Sequence, residues 1–205
     1  GYNPHLLTVE HQQHAVQGPI MKPPQAGCCA GLLAVLLLLA VPAQAAVSEY
    51  ELKAALVYKI SKFVRWPDVG PAAGSATLRL CIVGRDDFGD ALDSLKGEKV
   101  RSQSIVVERL PEQAPASHCQ IAFVSRSEQT RVPSVLKSMA SSPVLTISDI
   151  DGFAAQGGII ELASSDGKIA FRINPSASQR AGLEVGAQLL QLATLVDDPP
   201  REPGR

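Results

Sequence analysis

Cys81, His118 and Cys119 are the residues of this chain whose types and spacing invite covalent or metal chemistry. His118-Cys119 would be half of a metal site. Zinc takes three or four protein ligands, and the sequence offers no second pair, so no metal is expected. Asp86, Asp87, Asp149 and Asp151 follow two apolar, strand-like runs and would stand at one end of a sheet. Four carboxylates there could hold a cation, but loop acids commonly cap helices and face water, and that reading is adopted. Gly84-Arg85-Asp86-Asp87-Phe88-Gly89 stands where an open α/β sheet often binds phosphate. It lacks both the GxGxxG spacing and the Gly-Lys-Ser/Thr of a P-loop, so it reads as a turn and helix cap. No GxSxG or HExxH occurs. No catalytic constellation and no cofactor are expected.

Composition and leader set the compartment. Met21 reads as the start of translation, followed by Lys22, the leucine-rich run Ala30–Val41, Pro42 and the small-x-small signature Ala43-Gln44-Ala45. About a dozen apolar residues are too few for a stable membrane anchor. Residues 21–45 are therefore expected to be a cleaved signal peptide, with an uncleaved anchor as the alternative. Residues 1–20 read as an upstream extension or an expression remnant. Cleavage would remove one base, Lys22, and one acid, Glu10, so the net charge of −1 is unchanged. No basic footprint for nucleic acid or membrane is present. His118 alone of the four histidines would survive processing, as would two of the four cysteines, Cys81 and Cys119. In an oxidising compartment such a pair is expected to be bridged, with two buried thiols as the alternative. Closing the loop between them would stabilise the fold by about 4 kcal/mol.

Hydrophobic periodicity predicts the elements that position these residues. Residues 50–66 read as one helix, capped by Ser48 and stopped by Pro67, with Leu52, Leu56, Ile60 and Phe63 as its apolar stripe. Lys53, Lys59, Lys62 and Arg65 form its wet side. Buried strands are expected at 78–84, 104–108, 120–125 and 144–148, with helices after Asp86 or Asp87 and over 127–139, the latter capped by Ser127 and interrupted by Pro133. Short apolar strands alternating with helices imply parallel pairing, and a 2-1-3-4 order would bring Cys81 and Cys119 together. Asp166-Gly167 joins 158–163 to 168–173 as a hairpin. Asn174 and Pro175 open a last helix running to about Val196 with two apolar stripes, one facing the sheet; the second stripe, or the face of the 50–66 helix, is the expected contact with a second subunit. The fold class is thus α/β: a mostly parallel sheet with a C-terminal antiparallel hairpin, flanked by helices. A single domain is expected over 46–196, with a disordered tail at 197–205.

Four passages resemble the YfiR-like family of bacterial periplasmic proteins: 53–67 (Lys-Ala-Ala-Leu-Val-Tyr-Lys-Ile-Ser-Lys-Phe-Val-Arg-Trp-Pro), 80–92, 119–128, and the stretch from Leu145 through Phe153, Gly157-Gly158 and Phe171-Arg172-Ile173-Asn174 to Leu183. The resemblance covers about residues 48–196. It implies a periplasmic regulator that holds an inner-membrane diguanylate cyclase inactive through the cyclase's periplasmic part, linking the envelope to cyclic-di-GMP and biofilm. It also implies a homodimer and a supporting disulfide, which Cys81 and Cys119 match. A second cysteine pair, found in some members near the Phe153–Gly158 loop, is absent here, which argues against redox switching of the family kind.

With no nucleophile–base pair, contact without turnover is the expected mode of action. Phe153 reads as an apolar side chain on a loop. Glu161, Ile169 and Arg172 read as hairpin residues facing away from the core, and Arg180 lies on the first turns of the last helix. These five form the expected partner patch. The competing reading is a small-molecule-binding module using the loops at the carboxyl end of the sheet.

Overall fold

The computed structural model describes residues 47–68, 74–111, 113–165 and 168–197. The expected upstream extension, the signal peptide and the tail beyond Asp197 lie outside the described residues.

Helix α1 (Glu49–Lys62) begins at a reciprocal cap: Ser48 Oγ accepts from Glu51 N, and the Glu51 carboxylate accepts from Ser48 N. The helix ends at Lys62, before Pro67 can act. Val64–Arg65 (β1) leaves it to pair antiparallel with Glu184–Val185 (β9). The buried face is also rotated by about one residue from the expected stripe. It comprises Lys53, Ala54, Val57, Ile60 and Ser61, whereas Leu52 and Phe63 are about 40 % exposed.

The main sheet contains β2 (Thr77–Val83), β3 (Lys99–Val100), β4 (Gln103–Arg109), β5 (Ile121–Val124), β6 (Leu145–Ser148), β7 (Ile160–Ser165), β8 (Lys168–Ile173) and β10 (Thr194–Leu195). Its order is β10-β8-β7-β6-β5-β2-β4-β3. β4, β2, β5 and β6 run parallel, which is the expected 2-1-3-4 arrangement. The hairpin β7–β8 is antiparallel, with Ser165 opposite Lys168, and β7 joins β6 in parallel. β5 and β6 are buried at every position, as expected for strands covered on both faces.

Alternation divides the core. Leu80, Ile82, Phe123, Leu145, Ile147 and Ile160 face α1 and the 3₁₀ segment Gly89–Leu95. Cys81, Val83, Ala122 and Val124 face α2 (Val132–Met139). α2 starts late: a 3₁₀ turn over Arg126–Arg131 precedes it, with Pro133 in its first turn. Ser127 does not cap it. The Ser127 hydroxyl accepts from Arg85 N at 2.9 Å. Across that loop, Gly84 adopts φ +91°, and a Cβ there would stand 2.5 Å from Ser127 Oγ.

Asn174 caps α3 (Pro175–Arg180), its Oδ1 accepting from Ala177 N at 2.8 Å. The expected long final helix does not form. Gly182 takes φ +69°, a left-handed value that terminates α3. The chain then makes β9, a short α4 (Ala187–Leu192) and β10. The two continuous stripes, and the dimer face drawn from the second of them, are absent. Among the described residues no helix is long and apolar enough to cross a membrane.

Candidate functional site

The carboxyl ends of β2, β5 and β6 carry an ion network. Lys53 is fully buried, and its Nζ lies 2.5 Å from Asp149 Oδ2 and 2.6 Å from Glu49 Oε1. Arg126 Nε approaches the same Asp149 oxygen at 3.1 Å, and Tyr50 Oη donates to it at 3.2 Å. Asp149 Oδ1 is buried with no partner among the described residues. The expectation that Lys53 faces water is corrected: at the N-terminal end of the buried face, it passes over the end of β6 and meets the aspartate there. Burial first, then the negative charges of Asp149 and Asp87, push the Tyr50 phenol up to about 12. Tyr50 therefore stays protonated and donates. Because the unfolded phenol ionises nearer 10, stability should fall as pH rises from about 10 to about 12. Unfolding followed alongside phenolate absorbance checks this.

The neighbouring acids are also neutralised. Asp86 Oδ1 accepts from Phe88 N, and Asp86 Oδ2 meets Arg109 Nε at 2.5 Å. Asp87 pairs with Arg85 at 3.1 Å. With Asp149 held by Lys53 and Arg126, three of the four acids at this end already have cationic partners, an arrangement that locks α1 and the loops to the sheet.

The five residues of the expected patch are not one surface. Phe153 is fully buried against the α2 side of the sheet, so its reading as a loop surface residue is corrected. A Cβ on Gly158 would stand 2.2 Å from the Phe153 ring, so the glycine leaves the space the ring occupies. Glu161, 1 % exposed, is likewise interior. Its Oε2 accepts from Ala154 N at 3.1 Å and its Oε1 from Arg172 at 2.5 Å. Asn174 Nδ2 donates to Ala154 O at 2.9 Å. Glu161 and Asn174 thus pin the Phe153 turn from both sides. Arg172 stays partly exposed on the same face. Ile169 packs on the opposite, α1 face and is half-buried. Exposed Arg180 borders a separate groove of about 340 Å³ between α2, β6 and α3, with Leu136, Thr146 and Gln156. None of Asp86, Asp87, Asp149 and Asp151 lines that groove.

Other groups could not be placed by periodicity. β10 pairs with β8 only at Arg172 and Ile173. No strand lies in register with β8 at residues 168–171 on that side among the described residues. Beside it stand Leu192, 77 % exposed, and Leu195, 55 % exposed. Trp66 is half-buried and donates from Nε1 to Gln120 O at 3.1 Å.

Cys81 and Cys119, 38 positions apart in sequence, form the expected disulfide, with Cα atoms 6.0 Å apart. It ties central β2 to the start of β5. Cys81→Ser should lower unfolding free energy by about 4 kcal/mol, read by denaturant titration. An unmoved midpoint would mean the bridge is not structural.

Comparison with known proteins places these features. Residues 50–194 match the model of a family described as YfiR/HmsC-like. A solved structure of a conserved domain protein from Vibrio cholerae O1 biovar El Tor str. N16961 is similar at 11 % identity and TM-score 0.47. That match covers 74 % of this chain and 60 % of the Vibrio chain.

Proposed function

This chain belongs to the YfiR/HmsC-like family of periplasmic regulators, and from that membership we propose that it represses an inner-membrane diguanylate cyclase by binding the cyclase's periplasmic domain. It would thereby lower cyclic-di-GMP and biofilm formation, acting by contact and without turnover. The family match across residues 50–194 is the observation that carries this reading.

The contact surface we assign is the β8–β10 edge. It combines the stretch of β8 at 168–171 that no described strand flanks on that side with Ile169, Arg172 and the exposed Leu192 and Leu195. An open edge accepts a strand from a partner, and flanking apolar side chains add specificity. Arg180 would contribute only through its own groove. The test is capture from detergent-solubilised membranes with the tagged protein. A protein bearing a diguanylate cyclase domain should be retained by the wild type, and at least about tenfold less by Leu192→Glu/Leu195→Glu. Both side chains are exposed, so the fold should be unaffected. Equal capture by the folded variant would remove this edge from the mechanism, and no cyclase in either capture would remove the function.

A homodimer belongs to the same reading. With the last helix broken, the α1 face carrying Leu52 and Phe63 is its surface. A scattering mass of one chain at micromolar concentration would defeat it. The groove bordered by Arg180 favours a second reading, a small-molecule module. Loss of repression in Arg180→Ala with cyclase capture intact would support that reading.

A further inference from the structure

We propose that the dithiol form of this protein binds one zinc ion through Cys81, Cys119, His118 and Glu108, so that metal and disulfide are alternative clamps on the same two strands.

Both Cys sulfurs and a ring nitrogen of His118 lie within 4.8 Å of one another. His118 Nε2 stands 3.8 Å from Cys119 Sγ and 3.3 Å from Glu108 Oε1. Glu108 is the cross-strand neighbour of Cys81, so β4 carries its carboxylate to the same face of the sheet as the Cys81 sulfur. With Zn–N and Zn–O near 2.0–2.2 Å and Zn–S near 2.3 Å, a tetrahedral site has N···O edges of about 3.3 Å and S···N edges of about 3.6 Å. The two distances to His118 already match. The S···S edge, about 3.8 Å in such a site, does not: the sulfurs are bonded at 2.00 Å. The ligand set is therefore complete only when the disulfide is reduced and the sulfurs move apart. Arg79 Nε also reaches Glu108, at 3.4 Å, on Oε2, an oxygen that His118 Nε2 approaches at 3.4 Å as well, so both carboxylate oxygens face the imidazole.

The chemistry balances. A dithiol reductant transfers two electrons and two protons to the bridge, giving two cysteine thiols and the reductant's disulfide. Zinc then displaces both thiol protons to water, leaving two thiolates, one neutral imidazole and one carboxylate around the ion. Cys81 and Cys119 are almost fully buried, whereas the His118 and Glu108 side chains are each 40 % exposed. An ion would arrive from that side. Once bound it would hold β2 to the start of β5 as the bridge does.

The test uses the signal-free protein, either oxidised or reduced by a phosphine that is then removed without air. Co²⁺ is added as a spectroscopic probe and displaced by Zn²⁺. The reduced protein should take up one equivalent with a thiolate-to-cobalt absorption band, and the oxidised protein none. Reduced His118→Gln and Glu108→Gln, altered at half-exposed positions, should each bind at least about tenfold more weakly. Trp66 fluorescence follows the fold, and a reduced chain that loosens should regain the native signal on adding Zn²⁺. The proposal is overturned if no thiolate–cobalt band forms in reduced wild type, if both variants bind as tightly as wild type, or if a loosened reduced chain stays loosened with zinc present.

Discussion

Lys53→Met should lower unfolding free energy by about 3–5 kcal/mol, because it leaves Asp149 charged and buried without its closest partner. Arg126 approaches the same oxygen from a half-exposed position and cannot replace the buried ammonium. Lys53→Met combined with Asp149→Leu should recover much of the loss, since buried ion pairs are often replaceable by apolar residues of similar volume. Denaturant unfolding of the three variants decides the matter. A loss below about 1 kcal/mol for Lys53→Met alone would mean the network does not hold α1 to the sheet. The bond to Lys53 also holds the Glu49 carboxyl below its ordinary value, which adds a small acid-sensitive contribution to stability. That stability is present above the unfolded value near 4.5 and disappears as pH falls through the depressed one.

Phe153→Ala should cost about 3–5 kcal/mol, the usual range for emptying a buried aromatic site. Gly158 packs on the ring, and Glu161 and Asn174 fix the turn around Ala154, so the cavity cannot easily collapse. Periplasmic abundance should fall, and any loss of repression should follow abundance. A Phe153→Ala protein with normal melting and abundance but no repression would restore Phe153 as a direct contact.

The sheet was legible because its evidence is local. Short apolar runs bounded by turn residues gave four parallel strands in their order, and Asp166-Gly167 gave the hairpin. The order in turn placed Cys81 beside Cys119. The failures share a cause: contacts distant in sequence overrode local pattern. Val64–Arg65 continues a helical periodicity, yet it pairs with Glu184–Val185, which no window around either segment reveals. Lys53 and Asp149 each look solvated alone, and only the fold brings them together. Some missed signals were present. Gly182 and Gly186 inside an apparently helical run marked the break after α3. Gly157-Gly158 following Phe153 marked room for a buried ring. The β8–β10 edge had no signal, since Thr194–Leu195 is a two-residue strand formed only by its neighbour. The proposed metal ligands are half visible in the sequence: His118-Cys119 stands out by type and adjacency, but Glu108 joins it only through the register of β2 with β4.

Cellular cyclic-di-GMP tests repression most directly. It should be measured in cells lacking this protein, in cells complemented with the wild type, and in cells carrying Leu192→Glu/Leu195→Glu at matched periplasmic abundance. Deletion should raise it several-fold, the wild type should return it to the basal level, and the variant should not. An unchanged level on deletion, in cells that express an inner-membrane diguanylate cyclase, would rule out repression by this protein.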